Sequence, residues 1–78
     1  MKIEILGPGC PRCQSLAANT EQAVKSLGLS AEIEKVTDMR RIAGYGVMTT
    51  PGIVVDGRLV GSGRLFTVDE IKKFLQGS

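Results

Sequence analysis

Lys2-Ile3-Glu4-Ile5-Leu6-Gly7-Pro8-Gly9-Cys10-Pro11-Arg12-Cys13 is the stretch that decides the fold. Its first five residues are mostly apolar and β-branched, and they predict a strand over 2–6. Gly7-Pro8-Gly9 predicts a turn. A helix-like pattern follows, and Pro11 suits its first position, where an amide hydrogen would be unsatisfied anyway. Cys10 is then the N-cap. The free amides of Arg12 and Cys13 point back toward its sulfur, and the helix dipole adds partial positive charge there. Both favour a thiolate at Cys10, with a pKa below the ~8.5 of free cysteine. Arg12 adds a further cation, partly screened by salt. Cys13, the third helical residue, stands one turn away, within reach of a mixed disulfide on Cys10.

Blander readings of the pair compete with a reversible dithiol. A structural disulfide closing so short a loop removes little chain entropy, on the order of 2 kcal/mol. Two thiolates could instead hold Cu(I) or half of a zinc site. The chain has no histidine and no third cysteine, so a closed four-ligand zinc site would need carboxylates or a second chain. Two incidental core cysteines are the last alternative. Redox chemistry is the leading reading of the pair, with the metal clip next.

At 78 residues the chain suits one small domain over 1–78 with a modest core. Its apolar content of 42% and mixed charges argue against disorder. A net charge of +2, spread over scattered cations, gives no nucleic-acid footprint. Aromatic side chains are few (Tyr45, Phe66, Phe74), so there is no platform for stacking bases. The chain opens on a strand with no leader, and no apolar run approaches membrane-spanning length. The expectation is a cytoplasmic monomer without membrane contact. In a reducing compartment a close cysteine pair is more often catalytic or metal-binding than structural. Gln76-Gly77-Ser78 reads as a loose end.

Further along, residues 11–27 predict a helix burying Leu16, Ala17, Thr20, Ala23, Val24 and Leu27. Residues 31–36 predict an edge strand that sets Ala31, Ile33 and Val36 against Glu32, Glu34 and Lys35. A strand-helix-strand unit of this length implies parallel pairing. Thr37 and Asp38 can cap a short helix that ends at Gly44 and Gly46. Ile53-Val54-Val55 reads as a central strand and Asp56-Gly57 as a hairpin turn. Leu59-Val60 returns as the last strand, which Gly61-Ser62-Gly63 breaks. Thr67-Val68-Asp69-Glu70 reads as a capping box. Phe66 and Ile71 form its staple, and Val68, Ile71, Phe74 and Leu75 face the core. The expected fold class is α/β, in the order β-α-β-α-β-β-α, with a four-stranded mixed sheet flanked by helices.

This arrangement resembles the thioredoxin fold in its shortest, glutaredoxin-sized form. It is most similar to the small thioredoxin-like "redox-active disulfide" proteins. The likeness rests on Gly7-Pro8-Gly9-Cys10-Pro11-Arg12-Cys13, Tyr45-Gly46-Val47-Met48-Thr49-Thr50-Pro51, Val54-Val55-Asp56-Gly57 and Ser62-Gly63. It covers nearly the whole chain. It implies a cis peptide at Thr50-Pro51 facing the cysteines, with the Thr50 backbone open to a substrate strand. The tryptophan and the Gly-Pro redox centre of thioredoxins are missing. Arginine replaces the tyrosine of the glutaredoxin Cys-Pro-Tyr-Cys, and Gly61-Ser62-Gly63 matches the glutathione-binding Gly-Gly turn only in part. In ungapped register Glu4 falls where thioredoxins keep a buried carboxylate that helps deprotonate the second cysteine. A solvated strand charge is the simpler reading of Glu4. Core packing is the simpler reading of Tyr45, and a solvated helix face that of Arg40-Arg41. Arg58 and Arg64 receive no role.

The expected activity is thiol-disulfide exchange on protein or small-molecule disulfides, with no cofactor and an external electron donor. Cys10 and Cys13 are the catalytic residues. Pro11, Arg12, Thr50 and Pro51 are the substrate-binding residues. The rival reading is a Cu(I) metallochaperone, whose ferredoxin-like domain also places C-x-x-C after its first strand but ends in a strand. A third is a thioredoxin-like adaptor with little turnover.

Overall fold

The computed structural model describes residues 1–9, 11–47 and 49–76. The elements are β1 (Lys2–Leu6), α1 (Pro11–Leu27), β2 (Glu32–Val36), α2 (Met39–Gly44), β3 (Gly52–Val55), β4 (Arg58–Ser62) and α3 (Val68–Leu75). They follow the thioredoxin-like order, and among the described residues the hairpin β3-β4 is followed by the helix α3. The sheet order is β2-β1-β3-β4. β1 pairs parallel with β2 and antiparallel with β3, and β3 pairs antiparallel with β4. The edge position expected of β2 is the one observed.

A central strand is covered on both faces, so β1 reads as an almost unbroken buried run. Ile3 and Ile5 face one way, into a cluster with Leu16, Ala17 and Val24 of α1, Ile53 of β3, and Ile71 and Leu75 of α3. Leu6 faces the other way, into a smaller cluster with Val36, Val54 and Ile42 of α2. The apolar stripe of α1 buries Leu16, Ala17, Thr20, Ala23 and Val24 as its period predicts, with Cys13 added at its start; Leu27 is only partly buried. Thr20 is the one polar side chain in that stripe, and its hydroxyl donates to the Leu16 carbonyl at 2.7 Å.

Turn and cap chemistry fixes the rest. Asp56 and Gly57 both adopt positive φ, 50° and 83°, as the two-residue hairpin requires. The Asp56 carboxylate accepts from the Lys2 amide at 2.8 Å and ties the hairpin to the start of β1. Asp38 caps α2 by accepting from the Arg40 amide. The capping box at α3 is complete: Thr67 Oγ1 accepts from the Glu70 amide, and Glu70 accepts from the Thr67 amide. One expectation fails. β4 does not break at Gly61 but runs through Ser62. The glycine is there for packing, because a Cβ at 61 would strike the ring of Phe66. The reading of Gly77-Ser78 as loose lies outside the described residues.

Candidate active site

β1 delivers its last residue, Leu6, to the edge of the turn that opens α1. The Gly7 amide donates to the Val36 carbonyl at 2.9 Å, which fastens this turn to the end of β2. Gln14 reaches back from α1, and its amide nitrogen donates to the Gly9 carbonyl at 3.2 Å. Pro11 is the first residue of α1 and is exposed, as is Arg12. Cys13 lies in the first turn, 5% exposed. It is disulfide-bonded. The expectations for Cys10 itself lie outside the described residues.

Gly7 is a contact point the sequence reading used only as a turn signal. A Cβ at this position would overlap Cys13 Sγ, and it would also lie 3.9 Å from Thr50 Cβ. The absent side chain is therefore what lets the sulfur approach this backbone position, with Thr50 in ordinary contact range beside it. Register explains the meeting: Leu6 pairs with Gly52, so the residues just before β3 lie beside those just after β1. Pro51 is fully buried, the Thr50-Pro51 peptide is cis, and the Pro51 carbonyl accepts from the Gly63 amide at 2.9 Å. Of the residues singled out from sequence, Cys13, Thr50 and Pro51 thus converge on Gly7. Pro11 and Arg12 sit at the exposed helix start above them.

A pocket opens beside Cys13, lined by Ile5, Gly7, Gly9, Gln14, Lys35 and Thr37 as well as the cysteine. The sequence reading missed Lys35 here. It set Lys35 with Glu32 and Glu34, yet period two places Lys35 on the side of Ile33, and it pairs with Ile5. The first turn of α1 contains no acidic residue. Arg12, Lys35 and the helix dipole therefore bias this end of the molecule toward anions, including a cysteine thiolate.

Glu4 corrects the reading of a solvated strand charge. It is 5% exposed and sits on the opposite face of the sheet, with Leu6. The Tyr45 hydroxyl donates to Glu4 Oε1 at 2.9 Å, and Arg41 donates to Glu4 Oε2 at 3.1 Å. Arg41 is exposed, as expected of a solvated helix face, and it also pairs with carboxylates. Its other nitrogen reaches Glu34 at 3.0 Å, and Lys2 joins Glu34 at 3.3 Å. Arg41 and Lys2 hold the Glu34 carboxyl below its ordinary range. The hydrogen bond to Glu4, aided by burial, raises the Tyr45 phenol. The central place of β1 could have signalled the burial, since a central strand has no solvent face; nothing in the sequence pointed to Arg41 and Tyr45 as partners. Arg64 also has a role, pairing with Glu70 and lying 4.5 Å from the Phe66 ring centroid. Among the described residues, no group of three or more His, Cys, Asp or Glu is placed to hold a metal. No described helix is long and apolar enough to cross a membrane.

A family profile described as "Thioredoxin domain" matches residues 1–76. The protein named "Thioredoxin" from Methanothermobacter thermautotrophicus is 48% identical over 75 residues, covering 96% of this chain and 97% of the relative. Another "Thioredoxin", from Methanocaldococcus jannaschii, is 45% identical and covers 95% of this chain and 85% of the relative. A "Probable Thioredoxin" from Methanothermobacter marburgensis is 32% identical, with 80% of each chain covered.

Proposed function

Because the chain belongs to the thioredoxin family and is a thiol-disulfide oxidoreductase, we propose that Cys10 is its attacking thiolate and Cys13 its resolving thiol. Cys10 attacks one sulfur of a substrate disulfide and forms a mixed disulfide, and the other substrate sulfur leaves as a thiolate that takes up a proton. Cys13, deprotonated, then attacks the Cys10 sulfur. The second substrate thiolate leaves, and the protein retains the two-electron-oxidised Cys10-Cys13 bond. A donor dithiol or reductase returns two electrons and two protons to restore the starting state.

The observation that carries this assignment is the burial of Cys13 in the first turn of α1, disulfide-bonded and seated against Gly7. A buried second sulfur suits resolution within the protein better than attack on a bulky substrate. The half-buried Thr50 beside the same glycine supports a docking edge, where substrate backbone pairs in extended form next to the sulfurs. Pro11 and Arg12 form the exposed rim that a substrate meets first. Residues 1–78 act as one domain, a monomer working in a reducing, cytoplasmic compartment on disulfide-containing proteins or small molecules.

Labelling the reduced protein with iodoacetamide across a pH series tests the roles. Cys10 should label with a midpoint below the ~8.5 of a free thiol, and Cys13 more slowly. Equal labelling of both sulfurs, each titrating like free cysteine, would overturn the assignment.

A further inference from the structure

We propose that the buried Glu4 carboxylate, acting through Tyr45 and Arg41, is a positioning clamp that aligns the Thr50-Pro51 segment with the redox turn and so sets how tightly a substrate strand is held. The proposal rests on the reading of Thr50 and Pro51 as the docking edge.

Glu4 lies on β1, three residues before Gly7, so its strand leads directly into the redox turn. Arg41 belongs to α2 and Tyr45 is its C-cap. Four residues separate Tyr45 from Thr50. One carboxylate therefore joins the strand that leads to the sulfurs and the helix that leads to the docking edge. Each of its oxygens is engaged, Oε1 by the Tyr45 hydroxyl and Oε2 by Arg41.

The helix needs such a clamp. α2 spans six residues and buries one side chain, Ile42. So small an apolar contact is non-directional and leaves the rotation of a short helix weakly specified. Hydrogen bonds to a fixed carboxylate are directional. Replacing a buried ion pair by apolar groups is often neutral or stabilising, so stability alone does not account for a charge at this position. Orientation does.

A different task, taking a proton from the cysteines, fits the geometry poorly. Glu4 shares the sheet face of Leu6 and Ile42, whereas Cys13 lies with Ile5 and Gly7 on the side of α1. The sheet backbone stands between them.

Steady-state kinetics of the full chain with two substrates test the clamp. Insulin offers an extended strand beside its disulfide; dithiobis-nitrobenzoate offers a small disulfide with no strand. Tyr45→Phe removes one hydroxyl and keeps the ring. It should raise KM for insulin roughly three- to tenfold, the loss of one net hydrogen bond. It should leave kcat and the rate with the small disulfide unchanged, and the pH profile of cysteine labelling where it was. Glu4→Gln should move KM the same way. An unchanged KM in Tyr45→Phe, a proportional loss on both substrates, or a shifted labelling profile would overturn the proposal. Wild-type protein reports on the docking edge separately. If its advantage over free dithiothreitol is no greater for insulin than for the small disulfide, the docking reading fails and the clamp falls with it. If that advantage is present and Tyr45→Phe retains it, the clamp alone is refuted.

Discussion

On one face of the sheet, α1 and α3 pack over Ile3, Ile5 and Ile53 with Leu16, Ala17, Ala23, Ile71 and Leu75. On the other, α2 sets Ile42 against Leu6, Val36 and Val54 and shares that face with a buried carboxylate. The first face is broad and apolar, and its one buried hydroxyl, on Thr20, is satisfied within its own helix. The second is narrow, and its buried polar groups reach between elements. Apolar area stabilises without specifying direction; hydrogen-bonded charge specifies direction and adds little net stability. The large face accordingly holds the fold together, and the small face aims a helix and the loop that follows it.

The largest expected effect lies on the broad face. Ile71 is fully buried, and Ile71→Ala should cost about 2–5 kcal/mol, read as a lower urea midpoint. Activity per folded molecule should persist, because Ile71 does not line the pocket beside Cys13.

Glu4→Leu sharpens the contrast. Arg41 is half exposed and keeps Glu34 as a partner, so the main cost is the hydrogen bond lost by the half-buried Tyr45 hydroxyl, about 1 kcal/mol. A loss as large as that of Ile71→Ala, measured in the same urea titration, would erase the distinction between the faces.

The exposed pair at α3 should give the smallest effect. Arg64, together with the Thr67 amide, pulls the Glu70 carboxyl from its ordinary 4.5 to about 2. A carboxyl depressed in the folded state adds stability that is fully present above its unfolded pKa. That contribution fades as pH falls from about 4.5 to about 2. Thermal unfolding across this window should show a small acid loss, reduced in Glu70→Gln. An identical acid response in the variant would mean the pair contributes nothing measurable.

The broad face was the legible one. The 3.6-residue stripe of α1, the capping box at Thr67 and the Asp56-Gly57 turn each announce themselves through local chemistry, and each is present in the structure. The C-x-x-C and the Thr-Pro loop were legible as motifs, and their neighbours were not. Gly7 serves two purposes, turn and sulfur contact, and sequence displays only the first. Lys35 was set on the wrong face because Val36 follows it, so that strict alternation ends within β2. The Glu4 cluster spans residues 4, 34, 41 and 45, and no local pattern connects positions so far apart in the chain. Tertiary pairing alone brings them together.

Trapping of the covalent intermediate tests the central assignment most directly. Reduced Cys13→Ser and Cys10→Ser variants would each be mixed with a disulfide-bonded protein substrate and examined by non-reducing mass spectrometry. Cys13→Ser should accumulate a mixed disulfide through Cys10, and Cys10→Ser should accumulate none. Equal trapping by the two variants, or trapping through Cys13 alone, would contradict the account.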